Sequence, residues 1–481
     1  MSESDMSTVA RRSAHGILAL VSRTFLLNVV SFASSLIIFS VLTASDVGIY
    51  TAVVAIQRII SFFTDIGFGA ALVQKREELK EEDLTTSFTV QLFLTLSVFA
   101  TVLVLSSSIL SFFHLNAVAG RLLIVLVLSI VFSSFKTIPS ILLERKIEFQ
   151  KLVIPQMTES IVFNVILIVM VLKGFGIDSF SVAFLVSSVI SIPIYFYISP
   201  WKVRLGLNKS SLTHLKFGFA YQMKNVLATV KDDLLTVLLT KFLSFAEIGY
   251  IGFAQRLSFF VFRYIVDSVT KVTFSTYSRV QDRLDILKKG IEKSLFFVSC
   301  TMFPILFGLI VTGGYIIEYF PKWHGKWEPA IISLIFFSLN AMVSSVSGIL
   351  VNVLDASGRV KTTLKLMVMW TILTWVLTLI FIKLWGYNGV AIASFLVTLT
   401  IVITVQLARR VVDFAFFRNI YKPLISSVIM GIVIYFCAPY FISSLFSLIV
   451  VSAVGGSLYI ILLYLLAKKE LHENINLFFR L

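Results

Sequence analysis

Fourteen stretches of about twenty predominantly apolar residues recur along this chain, separated by loops too short to hold a domain. A helix needs about 20 such residues to cross a bilayer. In hydrocarbon only helices and closed barrels satisfy every backbone polar group. The runs lie near residues 17–42, 47–73, 85–110, 118–142, 153–172, 178–200, 217–241, 247–276, 294–312, 329–353, 366–384, 388–408, 423–441 and 443–466. They predict an all-α integral membrane protein of about fourteen transmembrane helices, with sequence neighbours antiparallel. A hydrophobic fraction of 58%, a charged fraction of 14% and a mean hydropathy of +0.94 lie outside the range of soluble domains.

The net charge of +15 raises the question of nucleic acid, and the placement of the charge answers it. With the N-terminus in the cytoplasm, the inner segments hold 27 of the 41 Lys and Arg residues and the outer loops hold 6. That asymmetry follows topology, not a nucleic-acid surface, and it predicts a multi-pass protein of the cell inner (plasma) membrane with both termini cytoplasmic. Residues 1–14, with Arg11 and Arg12, read as a short tail before a retained first span. Cys300 and Cys437 sit singly in apolar runs, and the five histidines are scattered, so neither a redox pair nor a metal site is expected.

Eight basic residues belong to neither set of loops: Arg23, Arg58, Lys136, Lys224, Lys231, Arg256, Arg263 and Lys271. A charge at bilayer depth costs a few kcal/mol or more unless it faces protein, water or a partner. Arg58 and Asp65 are two helical turns apart; Lys224 and Lys231, and Arg256 and Arg263, repeat that spacing, and Asp267 lies one turn beyond Arg263. Spans 2, 7 and 8 are thus expected to line a polar cavity with a basic excess, against which stand Asp65, Glu159, Asp232, Asp233 and Asp267. Such a cavity attracts an anionic head group such as a phosphate or pyrophosphate. The expected substrate-binding residues are Arg58, Lys224, Lys231, Arg256 and Arg263. The carboxylates Asp65, Asp232, Asp233 and Asp267 are the candidates for an ion-coupling role. Their structural alternatives are the ion pairs Arg58–Asp65 and Arg263–Asp267, Asp232 and Asp233 neutralising Lys231 and a neighbour, Arg23 and Lys271 snorkelling to an interface, and Lys136 capping a helix end or loop.

A faint repeat runs through the chain. Asp46-Val47-Gly48-Ile49-Tyr50 and Glu247-Ile248-Gly249-Tyr250-Ile251 place their glycines 201 residues apart, and Leu152 and Leu366 end two similar turns 214 apart. Two six-helix halves follow, related by an axis along the membrane normal. The expected division is an N-lobe at 15–200, a cytoplasmic linker at 201–216, a C-lobe at 217–410, two further spans at 411–467 and a cytoplasmic tail at 468–481. A nucleotide-binding motif is missing, as is any catalytic arrangement in an aqueous domain, so no enzyme is expected. Trp323 and Trp327, in the longest outer loop, read as interfacial anchors.

The stretches DVGIY, FTDIGFGAALVQKREELKEEDLTT, LLERKIEFQKL, LKFGFAYQMKN, EIGYIGFAQRLSF, FSTYSRVQD and FPKWHGKWEPAIISL carry a resemblance over about residues 15–410. In their order and spacing the chain resembles the Wzx-type polysaccharide flippases of the multidrug/oligosaccharidyl-lipid/polysaccharide exporter superfamily. Within them it resembles most the colanic acid and teichuronic acid exporters. The resemblance implies a V-shaped pair of six-helix lobes, as in the multidrug exporters, plus two peripheral C-terminal helices. It implies an undecaprenyl-pyrophosphate-linked oligosaccharide as substrate, moved to the outer leaflet by alternating access. It further implies H+ or Na+ as the coupling ion, no cofactor, and work beside the polysaccharide polymerase machinery. Another exporter of that superfamily, for a peptidoglycan lipid precursor or a small molecule, is the alternative reading.

Overall fold

A computed structural model describes residues 25–64, 72–73, 77–208 and 229–478. Among the described residues, eleven helices are long and apolar enough to span a membrane. The expected first and seventh spans run partly through residues outside that set. The eighth falls on a helix too polar to be one of the eleven. The chain divides into two compact units, residues 1–249 and 250–481.

In the first unit the helices are α1 (Phe25–Val41), α2 (Ala44–Thr64), α3 (Glu81–Val104), the short α4 (Ser106–Phe112), α5 (Ala117–Arg145), α6 (Phe149–Leu172), α7 (Asp178–Ile198) and the short α8 (Leu235–Leu239). α5 is the hub, packing on α2, α3 and α7, while α7 also packs on α6. Leu122, Leu126, Ile138 and Ile141 place its apolar side in that core, at 3% exposure or less. The Arg145 guanidinium, at the end of α5, donates to the carbonyls of Leu72 and Glu77 and fixes the turn before α3. After α7 the chain runs extended along α3. Gly206 N donates to Thr89 Oγ1 and Asn208 N to Thr86 Oγ1, each at 3.0 Å, and Arg204 pairs with Glu81 at 2.8 Å.

The repeat has a physical counterpart at two helix starts. Thr43 N and Oγ1 donate to Asp46 Oδ2 at 3.1 and 2.7 Å, and Asp46 N donates back to Thr43 Oγ1 at 3.2 Å. Ser244 and Glu247, each 201 residues on, form the same box at 2.8, 2.8 and 3.3 Å. Both are reciprocal capping boxes that satisfy orphan N–H groups. The first turns they start pack on each other. A Cβ on Gly48 would stand 1.7 Å from the Phe245 carbonyl oxygen, and one on Gly249 would stand 1.9 Å from that of Ala44. Ala44 and Phe245 are also 201 residues apart, so the contact is the same from either side.

α9 (Phe245–Val280) begins at this contact and continues into the second unit, which holds α10 (Leu284–Tyr319), α11 (Ile331–Ala356), α12 (Val360–Trp385), α13 (Asn388–Thr398), α14 (Ile401–Arg409), α15 (Phe416–Phe441) and α16 (Leu445–Phe478). α10 is central, packed on α11 and α15. Leu287, Ile291, Leu295, Val298, Met302 and Leu306 give it a fully buried face at helical spacing. Interhelical hydrogen bonds join the helices where lipid supplies no hydrophobic drive. Tyr277 OH donates to Ser294 Oγ at 2.8 Å, Asn352 Nδ2 to Thr273 Oγ1 at 2.7 Å, and Ser258 and Ser338 share a bond at 3.0 Å.

The tryptophans between α10 and α11 are not interfacial anchors. Trp323 and Trp327 are both 0% exposed. Trp327 stacks on Phe253 with centroids 4.4 Å apart, and Trp323 meets the same ring edge-on at 5.0 Å. Positive φ at Lys322 (63°) and Gly325 (75°) turns the loop inward. His324 pairs with Glu328 at 3.1 Å across the turn. Burying two indoles on one aromatic ring outweighs leaving them at the interface.

Gly48→Ala is expected to cost at least about 1–3 kcal/mol, because an added methyl meets backbone and no side chain can yield. Thermal unfolding in detergent measures it. A second expectation concerns the far end of the second unit, where Lys422 of α15 donates to Glu470 of α16. Burial pushes the Glu470 carboxyl up, but the Lys422 bond and the charges of Lys422 and Arg418 outweigh it and hold the group below 4.5. A carboxyl so depressed contributes stability that is full above its unfolded pKa and lost as pH falls through its folded one. Lys422→Met should therefore lower Tm at pH 7 and converge with the parent protein as pH drops below 4.5.

Candidate functional site

The charges that the helical spacing grouped fall into two sets, one in each unit. In the first unit the helical hydrogen-bond ladder is interrupted at Val230–Leu234, a π-helical turn running directly into α8. The Asp232 carbonyl accepts from the Leu235 N–H and from Thr236 Oγ1, the latter at 2.8 Å. Such single-turn widenings recur at functional sites because they re-aim consecutive side chains. Here the turn carries Lys231, Asp232 and Asp233 and packs against α2.

Asp233 is directed inward, its side chain 12% exposed, and Oδ1 accepts from Arg58 Nη1 at 3.0 Å. The Arg58 side chain stays 56% exposed, so its guanidinium is held by one carboxylate and still presents donors outward. Lys231 Nζ lies 3.4 Å from Asp232 Oδ1, and both are substantially accessible. Asp232 and Asp233 thus do neutralise Lys231 and a neighbour, and the neighbour is Arg58. Lys224 and Asp65, expected on the same helices, lie outside the described residues, as does Arg23.

In the second unit α9 carries the other set. At 100° per residue, Arg256, Arg263, Asp267 and Lys271 fall within an arc of about 80° on one face. Arg263, Asp267 and Lys271 are exposed and Arg256 is half-buried. Among the described residues no ion pair closes between Arg263 and Asp267, although Lys271 and Arg263 are the charges that act on Asp267. The flanks and back of α9 are largely apolar and buried, with Ala254, Leu257 and Val266 in the core. α9 is therefore a polytopic protein's polar helix: one side packed, the other a basic stripe with a single carboxylate in it.

One buried pair was not among the expected site residues. Lys136 of α5 donates to Glu159 of α6 at 2.6 Å, with side chains 10% and 29% exposed. Lys136 is not serving a helix end, since it stands nine residues inside α5. The sequence signal was its isolation from both sets of loop charges. Among the described residues no group of His, Cys, Asp and Glu is arranged to hold a metal ion.

A run of membrane helices with basic residues concentrated on their polar faces is the setting in which the family comparison becomes informative. Residues 37–332 match the family model described as polysaccharide biosynthesis protein. The chain belongs to that family. A membrane protein of the cps region of Klebsiella pneumoniae, described as uncharacterized, is 21% identical over 473 residues, 94% of each chain. The lipopolysaccharide biosynthesis protein WzxC of Escherichia coli strain K12 is 24% identical over 341 residues, 68% of this chain and 66% of that one. Among solved structures, the lipid II flippase MurJ in an inward closed conformation superposes with a TM-score of 0.78 at 19% identity, covering 94% of this chain and 99% of that one. An inward-facing multidrug exporter of the MATE family follows at 0.61 and 13% identity, covering 82% and 98%.

The fold is therefore the one shared by that flippase and that exporter, and the chain is a multi-pass membrane protein of the polysaccharide biosynthesis family. The Wzx-type resemblance read from the sequence agrees with the match to WzxC.

The Arg58–Asp233 pair is testable by stability alone. Arg58→Asp is expected to cost about 1–2 kcal/mol by opposing two carboxylates. Adding Asp233→Arg should restore most of that loss, measured by thermal unfolding of the purified protein.

Proposed function

We propose that this protein carries an undecaprenyl-pyrophosphate-linked oligosaccharide from the cytoplasmic to the outer leaflet of the inner membrane by ion-coupled alternating access. Family membership and the likeness to WzxC support a lipid-linked glycan as cargo. The observation that carries the reading is the α9 stripe, in which three cations share one helical face with one carboxylate. A pyrophosphate diester is the ligand such a face suits. It is small, doubly negative and rich in acceptors that arginine grips in bidentate fashion.

In this reading Arg256 and Arg263, with Arg58, Lys224 and Lys231, receive the pyrophosphate, and the glycan occupies polar space beside it. Asp65, Asp232, Asp233 and Asp267 take up and release the coupling H+ or Na+, as intramembrane carboxylates can. Asp233 shares its charge with Arg58, so a cation there competes with an ion pair. Asp267 has two cations, Arg263 and Lys271, along its own helix. Fourteen spans, N-lobe and C-lobe halves and cytoplasmic termini complete the topology, with the 27-to-6 split of loop charge in support. The flipped product is then accessible to the polymerase machinery of the outer leaflet.

Proteoliposomes loaded with labelled undecaprenyl-pyrophosphate-oligosaccharide test this. Flipping should depend on an imposed pH or sodium gradient. Arg256→Ala and Arg263→Ala should each slow it by about tenfold, the loss of one charge-assisted contact, at unchanged expression. Full activity in both variants would overturn the pyrophosphate role. Transport of a soluble amphiphile in place of every lipid offered would overturn the cargo.

A further inference from the structure

The first unit contains a cavity of about 270 Å³ that the basic stripe does not use. Gln156, Glu159, Ser160 and Phe163 of α6 line one wall, and Phe184, Ser187 and Ser188 of α7 line the other. On α6 these positions are spaced i, i+3, i+4 and i+7, one face of a helix. Ile154, Ile161, Val165 and Val169 form the exposed apolar stripe on the opposite side of the same helix. α7 repeats the division, with its lining residues on one face and Val189, Ile190 and Tyr197 exposed on the other. The cavity therefore points away from the apolar stripes that meet lipid.

Its depth is equally defined. Lys136 is nine residues from the end of α5 and Glu159 ten from the start of α6, at the turn that joins them. Both stand about 14–15 Å along their helices from that turn at 1.5 Å per residue, about half of the ~30 Å hydrocarbon thickness. An ion pair so placed loses hydration that its attraction does not fully return, so pairing two helices is a weak reason for its presence. Nor does the cavity suit a lone cation. The Lys136 ammonium already sits 2.6 Å from Glu159 Oε1 and would repel one. The Phe163 and Phe184 rings, which also line the cavity, pack on each other with centroids 4.6 Å apart.

Aromatic faces beside a carboxylate, an amide and hydroxyls are what a sugar ring requires. Its C–H face packs on the rings, and its hydroxyls donate to the carboxylate and exchange bonds with amide and serine. The volume lies just under the ~300–1,000 Å³ of pockets for drug-sized ligands, which leaves room for one ring. We propose that this pocket between α6 and α7 seats one neutral sugar ring of the transported glycan. Glu159 acts as the hydroxyl acceptor, Lys136 holds it in place, and Phe163 and Phe184 form the stacking wall. The proposal rests on the flippase reading and adds to it a subsite that recognises the glycan separately from the pyrophosphate.

The experiment measures binding of two kinds of labelled probe to the full-length protein in nanodiscs. One is undecaprenyl pyrophosphate bearing a single glucose, galactose or N-acetylglucosamine; the other is bare undecaprenyl pyrophosphate. The variants are Phe163→Leu, which keeps apolar bulk, and Lys136→Met combined with Glu159→Gln, which strands neither charge. At least one glycosylated lipid should bind the parent protein about tenfold more tightly than the bare lipid, and both variants should erase that difference. The bare lipid should bind all three proteins alike. A parent protein that does not distinguish glycosylated from bare lipid overturns the subsite, as do variants that keep the preference or lose both lipids equally. A parent protein that binds neither kind of lipid overturns the flippase reading, and the subsite with it.

Discussion

Charge inside hydrocarbon is the constraint on which the rest of this structure depends. Each ionic group at bilayer depth has to be paired, hydrated or turned toward a cavity. The chain uses all three arrangements. Lys136 and Glu159 are paired in the interior of the first unit. Arg58 is half committed to Asp233 and half exposed. Arg263, Asp267 and Lys271 remain along one accessible face of α9 while the other face enters the core. The charges thus grade from a closed pair to an open stripe.

Much of this was legible in the sequence, because the relevant signals are local. Apolar run length marked the helices, and eleven expected spans correspond to described helices of spanning length. Helical spacing placed Arg256, Arg263 and Asp267 on one face, which needs nothing beyond 3.6 residues per turn. Pairing across the fold was another matter. Arg58 and Asp233 are 175 residues apart, and no periodicity connects them. The same holds for Lys136 and Glu159 on successive helices. Arg263 and Asp267 have the spacing of a helical pair, yet among the described residues they form none, since accessible side chains gain little by closing in water.

Trp323 and Trp327 show how a good statistical expectation fails. Indoles in a loop between spans usually rest at the lipid–water interface, but that preference is modest. Here two left-handed residues turn the loop onto Phe253, and a stacked aromatic cluster removes both indoles from water and lipid alike. Sequence reports the residues of such a cluster, not the turn that brings them together. The π-helical turn at Val230–Leu234 was hidden for the same reason, since one residue of altered hydrogen bonding leaves the hydrophobic pattern nearly unchanged.

The glycine contact between the two capping boxes has a consequence for how the halves of this chain can diverge. Gly48 rests on the carbonyl of Phe245 and Gly249 on that of Ala44, so each copy of the repeat is the other's steric environment. Elsewhere a duplicated segment drifts freely once its twin supplies the shared need. At this spot neither twin supplies it alone, because a side chain gained by one is felt as a collision by both. The two positions therefore form a single steric unit, and neither glycine can be enlarged without disturbing the helix start that holds the other.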